Sequence, residues 1–481
     1  MEENSIKNKI FSGMFWKFGE RILAQIVSFV VSIVLARILL PEEYGIVSIV
    51  LIFITLADVF VSSGFSSALI QKKDATNEDF STIFYCSLAA SFFMYMILFF
   101  CAPLIAVFYN MPELTLVVRI FSIKLIISAY NSVQHAYVSR HMIFKRFFFS
   151  TLFGTILSGI IGIIMAYKGF GVWALISQYF VNSIVDSLIL SFTVPWHPQL
   201  VFSKKSAKDL MSFGWKVLVA DLSGTFFDQL RSLVIGKIYT PANLAFYDKG
   251  KQVPSTLTDN ISTTIMTVLF PAIANENGDN NKVKDISRQA LKMMSFVIFP
   301  IMVGCAFVAK PLILTLLTSK WESSIVFMQI FCITSAISII GNTSLQVIKA
   351  VGRSDILLKL EFIKKPLYFI LLIIGASISV LGIAVTGFLY TIIGSLINCK
   401  AMSTVIKYDV IDQIKDIMPS FLLSLVMGIC VHSITLFNVS SNLLQLIIQV
   451  IVGIVIYIGL SKIFKLQEYE KIKSFLFHRK R

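Results

Sequence analysis

Four sets of polar side chains recur at helical spacing inside long apolar runs. Arg21, Gln25, Ser28 and Ser32 form one, and Asp221, Thr225, Asp228 and Ser232 repeat its steps of four, three and four at positions shifted by 200. Lys124, Ser128, Asn131, His135 and Ser139 form a third, and Ser335, Ser338, Asn342, Gln346 and Lys349 a fourth. Steps of three and four place each set on one helix face. The chemistry divides by sign. Arg21 and Lys124 can hold a phosphate-bearing anion, the guanidinium bidentately. Gln25, Asn131 and His135 can complete such a site. Asp221 and Asp228 can carry a coupling H+ or Na+. Arg231, Asp259, Asn342, Gln346 and Lys349 are secondary candidates for the same polar surface.

Other chemistries lack their residues. The six cysteines (Cys86, Cys101, Cys305, Cys332, Cys399, Cys430) are scattered without a Cys-x-x-Cys pair, and read as packing residues. The five histidines show no His-x-x-x-His spacing, so neither a metal site nor any other cofactor is expected. There is no Gly-rich phosphate loop and no nucleophile elbow. Glu42 and Glu43 beside Pro41 read as the flank of a turn at a helix end.

The elements that must position these stripes follow from composition. The chain has 481 residues, 56% hydrophobic and 14% charged, with mean hydropathy +0.80. Soluble domains lie near roughly 45–50% apolar and about 25% charged. A spanning helix needs about 20 apolar residues, and counting on that basis predicts about fourteen, centred on 15–36, 44–66, 80–105, 114–138, 147–167, 172–194, 213–236, 252–273, 288–309, 324–349, 357–378, 380–400, 416–437 and 442–463. The fold class is therefore all-α integral membrane. The first run has no small-x-small cleavage site and reads as an uncleaved span. Lys and Arg concentrate in one set of connections, including Lys204, Lys205, Lys282, Lys284, Arg288 and the tail ending "FHRKR", which places both termini in the cytoplasm. The net charge of +15 is mostly this topology signal and does not point to nucleic acid, although the tail can touch anionic lipid.

A charge at a span centre costs roughly 2.5–3.5 kcal/mol on the insertion scale. Lys17, Lys216, Lys349, Lys364 and Lys365 lie near cytoplasmic ends, where snorkelling suffices. Arg21, Lys124, Asp221 and Asp228 lie deeper and call for a wet cavity or mutual pairing.

The chain also writes one helix ending twice, "ARILLPEEYG" at 36–45 and "GKIYTPANLAFY" at 236–247. With the shared stripe, this predicts a six-plus-six repeat of parallel orientation. Residues 1–194 would form an N-lobe, 195–212 a cytoplasmic connector and 213–402 a C-lobe. Residues 403–465 would add two spans, and 466–481 a basic tail.

The segments "VLARILLPEEYGIVSIVLIF", "LADVFVSSGFSSALIQ", "RSLVIGKIYTPANLAFYDKGKQVP", "VLFPAIA", "LLTSKWESS" and "KAVGRSDILLKLEFIKK" resemble the Wzx-type flippases, the polysaccharide-export branch of the multidrug/oligosaccharidyl-lipid/polysaccharide superfamily. The resemblance runs to about residue 465. It implies fourteen spans, two six-helix lobes around a central cavity, a bacterial inner-membrane location, and alternating-access transfer of undecaprenyl-pyrophosphate-linked repeat units for surface polysaccharide. Implied partners are the lipid-linked oligosaccharide, membrane lipids, and as candidates a polysaccharide polymerase and a chain-length regulator. Distant members carry an acidic residue near the position of Arg231, so whether Arg231 faces the cavity or is structural stays open. Two alternatives fit parts of this pattern. A drug/cation antiporter of the same fold usually stops at twelve spans. A membrane glycan polymerase or glycosyltransferase tends to carry a sizeable outer loop with catalytic acids or arginines, which this sequence lacks. No enzyme activity is expected.

Overall fold

The computed structural model describes residues 2–72, 74–276, 278–437 and 441–477, with side-chain surroundings given outside 2–15, 18, 213, 264–268 and 475–477. Lys73 and the basic end of the tail, 478–481, lie outside the described residues. All regular elements among the described residues are helical. In chain order they are α1 (Glu2–Ile38), α2 (Pro41–Gln71), α3 (Asn77–Tyr109), α4 (Leu114–Phe121), α5 (Lys124–His141), α6 (Lys145–Tyr167), α7 (Val172–Thr193), α8 (Lys204–Ile238), α9 (Pro241–Asn275), α10 (Asn280–Phe307), α11 (Ala309–Leu316), α12 (Ser324–Ala350), α13 (Ser354–Ile378), α14 (Val380–Ile406), α15 (Val410–Ser433), α16 (Asn442–Ile463) and α17 (Gln467–Phe477).

Among the described residues, eleven segments are long and apolar enough to cross a membrane, α4 and α5 counting as one. The other three expected spans fall on α8, α9 and α13, which form continuous helices of 35, 35 and 25 residues. Interior charges lower the hydropathy of α8, with Asp221, Asp228 and Arg231, and of α13, with Glu361, Lys364 and Lys365, while α9 carries Asp259 among several Ser, Thr and Asn residues. The protein is an all-α, multi-pass membrane protein.

By packing, the chain forms two compact units, Met1–Ala245 and Phe246–Arg481. The boundary falls inside α9, because α8 lies along α2 and joins the first unit. Glycine makes that contact close. A β-carbon at Gly64 would overlap the Gly214 carbonyl oxygen, and one at Gly236 would fall 3.1 Å from Ile49 Cγ1. Small residues let spanning backbones approach where no hydrophobic drive separates protein from lipid.

The twin endings explain themselves locally. α1 and α8 stop at Ile38 and Ile238, and Pro41 and Pro241 open α2 and α9. Proline suits a first helical position, since its missing N–H would have no intrahelical partner there. Glu43 Oε2 accepts from Leu40 N at 2.8 Å, which satisfies one free amide of the first corner. In the second corner Thr240 Oγ1 accepts from Asn243 N at 3.3 Å. The two corners also touch. A side chain at Gly45 would overlap the Pro241 carbonyl oxygen.

In the first unit, a core of Leu69, Phe80, Ile83, Val133, Phe147 and Trp196 joins α2, α3, α5 and α6 to the connector. In the second, Phe296, Leu423, Met427 and Tyr457 join α10, α15 and α16.

Candidate functional site

The stripe on α5 acquires partners on two neighbouring helices of the first unit. α4 ends at Phe121, and the chain turns once through Ser122 and Ile123, so α5 begins with Lys124. Lys124 Nζ lies 5.9 Å from the ring centre of Tyr179 on α7, a long cation–π contact. One turn further, Ser128 Oγ donates to Asp58 Oδ1 in the middle of α2. Asn131 Nδ2 donates to the Ser183 carbonyl at 3.2 Å, and its Oδ1 accepts from Ser187 Oγ. Another turn on, His135 Nε2 lies 2.9 Å from Asp186 Oδ2 on α7. The other oxygen, Asp186 Oδ1, is buried and has no hydrogen-bond partner.

The other side of the same helix is tied as tightly. Tyr130 donates to Ser191 Oγ at 3.0 Å, and the fully buried Gln134 donates to Tyr130 Oη and to the Trp196 carbonyl. At the end of α5, Arg140 Nη1 donates to the carbonyls of Leu69, at 3.0 Å, and of Lys72. A guanidinium there satisfies carbonyls that the end of α2 leaves open and matches the negative end of its dipole. Asp58 and Asp186 were missed in the sequence. Each is a lone acid in an apolar run, "LADVF" and "VDSLIL", with no Lys or Arg three or four residues away along its own helix. The signal that could have found them is their cost. An acid at span depth is a site by default.

The other expected residues lie elsewhere. Arg21 and Gln25 sit on exposed faces of α1, and Gln25 has a partner. Beside Arg21, Glu20 pairs with Lys17 at 2.8 Å and accepts from Thr151 Oγ1 of α6 at 3.2 Å. Asp221 and Asp228 are exposed on α8 and Arg231 is half-buried; Asp228 and Arg231 are both engaged by other groups. In the second unit, Asp259 on α9 and Asn342 and Lys349 on α12 are exposed, while Gln346 is half-buried. The structure thus brings Asn131 and His135 into one polar seam between α5 and α7, while Lys124 on the same helix contacts the Tyr179 ring of α7.

The second unit has its own ionic joint. Asp416 of α15, almost fully buried, accepts from Arg288 Nε at 2.6 Å and Nη2 at 2.8 Å, and lies 3.1 Å from Lys292 Nζ on α10. Tyr408, in the turn between α14 and α15, donates to the same carboxylate at 2.6 Å. Burial, and then that hydrogen bond to a carboxylate, push its phenol far above the usual tyrosine range, so it stays a donor. A separate apolar cavity of about 650 Å³ lies among α10, α12, α14 and α15, lined by residues such as Phe299, Met302, Ile333, Phe388 and Phe421. No cluster of three or more potential metal ligands occurs among the described residues.

Comparison with known proteins gives a consistent picture. The chain is 26% identical over 489 residues to the teichuronic acid biosynthesis protein TuaB of Bacillus subtilis, spanning 99% of both chains. It is 22% identical over 401 residues to the lipopolysaccharide biosynthesis protein WzxC of Escherichia coli, covering 83% of this chain and 82% of that one. Its fold matches the lipid II flippase MurJ in an inward closed conformation, with TM-score 0.73 and 18% identity across 94% of this chain and 98% of that one. The family described as "Polysaccharide biosynthesis protein" matches residues 34–326, more than half of the chain, and the protein belongs to it.

Proposed function

We propose that the protein is a flippase that carries undecaprenyl-pyrophosphate-linked oligosaccharide repeat units across the bacterial inner membrane for surface polysaccharide synthesis. The observation that carries this reading is the end-to-end match to a teichuronic acid biosynthesis protein on a fold shared with a lipid II flippase. Physical chemistry supplies the rest. A diphosphate with a glycan cannot enter hydrocarbon, because each unpaired polar group costs about 2–7 kcal/mol. A protein path must replace water for the head while the tail stays in the apolar phase.

Intramembrane polar faces, with Arg21 and Lys124 as anion-holding groups, suit the head. The apolar cavity of the second unit suits part of a hydrocarbon tail. Rocking of the repeat lobes 1–194 and 213–402 would open the path to one leaflet at a time. Both termini then lie in the cytoplasm. Translocation forms and breaks no bond in the cargo.

Deletion of the gene from its host should accumulate lipid-linked repeat units on the inner leaflet and remove the surface polymer. The full chain supplied in trans should reverse both, with glycan composition unchanged. Absence of accumulation, or a change in the glycan made by purified protein, would refute the reading.

A further inference from the structure

Five helices of the first unit, α2, α3, α5, α6 and α7, are sparing with charge. α5 and α7 pack against α2, α3 and α6. On these five helices nearly every acidic or basic side chain sits within about a turn of an end: Glu42 and Glu43 on α2, Glu78 and Asp79 on α3, Lys124, Arg140 and His141 on α5, and Lys145 and Arg146 on α6. The exceptions are Asp58, His135 and Asp186. They occupy one continuous polar seam, since Ser128, Asn131 and His135 follow at steps of three and four on α5 and Asp186 and Ser187 are chain neighbours on α7.

Within that seam, the His135–Asp186 contact is built differently from a structural ion pair. Asp186 is mostly shielded, yet one carboxylate oxygen has no donor. His135 is about half exposed, so its ring is not sealed inside the unit. Its flank is apolar, with the Phe147 ring centre 4.7 Å away; Lys17, 4.9 Å from the centre of that same ring, is already paired with Glu20. Asp58 is held by Ser128 one turn or more away along α5, Asp79 is held by Lys72 at 2.7 Å, and Arg140 is spent on carbonyls. Among the described residues, no Lys or Arg lies within ion-pair distance of Asp186.

We propose that His135 and Asp186 form a proton-binding site that couples an ion gradient to transport, resting on the flippase reading above. In the unloaded state Nε2–H donates to Asp186 Oδ2, Nδ1 is bare, and the pair carries one negative charge. A proton from water adds at Nδ1, no other bond changes, and the pair becomes a neutral imidazolium–carboxylate couple. A neutral couple can be shut away from water far more readily than an unbalanced carboxylate. Loading thus licenses the conformation in which this face is dry, and release restores the wet one. Among side chains, imidazole is the group whose charge changes in the physiological range. A nitrogen ligand and a single free oxygen suit a proton better than Na+, which prefers an oxygen shell. This moves the coupling role away from Asp221 and Asp228, and it gives His135 a different task from holding the cargo anion.

The test uses the full chain complementing a gene deletion in its host. Surface polymer and lipid-linked intermediates are measured between about pH 6 and pH 8 outside, with and without an exchanger that collapses the proton gradient. Wild-type export should fall on collapse of the proton gradient and be indifferent to removal of external Na+. Asp186→Asn and His135→Gln should each export about tenfold less at the acidic end, flat with pH and insensitive to the exchanger. Asp186→Glu, which keeps the carboxyl, should recover pH-dependent export. Membrane amounts are compared by immunoblot, and His135→Gln, on the more exposed partner, decides if Asp186→Asn fails to accumulate. Wild-type pH and exchanger responses in both variants, or wild-type export that follows Na+, would overturn the proposal. If deletion itself accumulates no lipid-linked repeat unit, the flippase reading has failed instead.

Discussion

At the residue scale, Asn131 shows how a spanning helix fixes a polar side chain. Its amide both donates to α7 and accepts from it, so the two helices cannot rotate against each other without stranding polar atoms. In membranes such bonds are modest, because the separated helices also find partners. The larger cost is a hydroxyl left unpaired. Asn131→Leu should lower the thermal unfolding midpoint in detergent by an amount matching about 1–3 kcal/mol, while Asn342→Leu, on an exposed face of the second unit, should shift it far less. The stripe containing Asn131 was legible, since helical spacing of polar residues in an apolar run has few other meanings. Its partners were not. Asp58 and Asp186 stand 70 and 51 residues from Ser128 and His135, and nothing in a single sequence pairs residues across that separation. The same limit applies to Arg21 and Asp221, whose matched positions predict related places in a repeat and say nothing about contact.

At the element scale, the joint of α10 with α15 and the glycine seam of α2 with α8 make opposite use of chemistry. The first is a carboxylate held by a bidentate guanidinium, an ammonium and a phenol. Removing one partner of a buried pair typically costs 3–5 kcal/mol. Arg288 is about half exposed, which screens its share. Asp416→Ala should therefore destabilise by about 2–3 kcal/mol in a denaturation series, and Asp416→Asn, which keeps an acceptor for Tyr408, by less. The second joint has no bond to break. Gly64→Ala must push α8 away from α2, so it should cut transport strongly even where the protein accumulates normally; equal transport in Gly64→Ala and wild type would mean the backbones separate freely. Sequence displayed the charges of the first joint and the glycines of the second, but only packing distinguishes Gly64, which faces a backbone, from Gly224, which faces open space.

At the scale of the whole molecule, the span series was the most legible feature, because the bilayer imposes a length on every crossing, and its flanking Lys and Arg add an expected orientation. The orientation they imply is testable. Reporters at Lys282 and after the last residue should read cytoplasmic, and reporters near Tyr109 and Lys320 external. A periplasmic signal at Lys282 would mean an odd number of crossings before it. The unit boundary was less legible. The proline-bearing connector around Pro195 and Pro198 marks where a repeat would restart, whereas packing keeps α8 with the helices before it.

That last arrangement has a consequence in time. Gly64 and its backbone partner Gly214 are 150 residues apart. A chain made at about 5–20 residues per second leaves α2 without α8 for roughly 8–30 s. During that interval the glycine face of α2 meets lipid or an insertion chaperone, and the first corner waits for Pro241 to arrive. Nascent chains halted after residue 203 should accordingly be cleaved faster within α2 by an intramembrane protease than chains halted after residue 275. The newborn N-terminal half is then a client of the insertion machinery for as long as its seventh crossing is still in the ribosome.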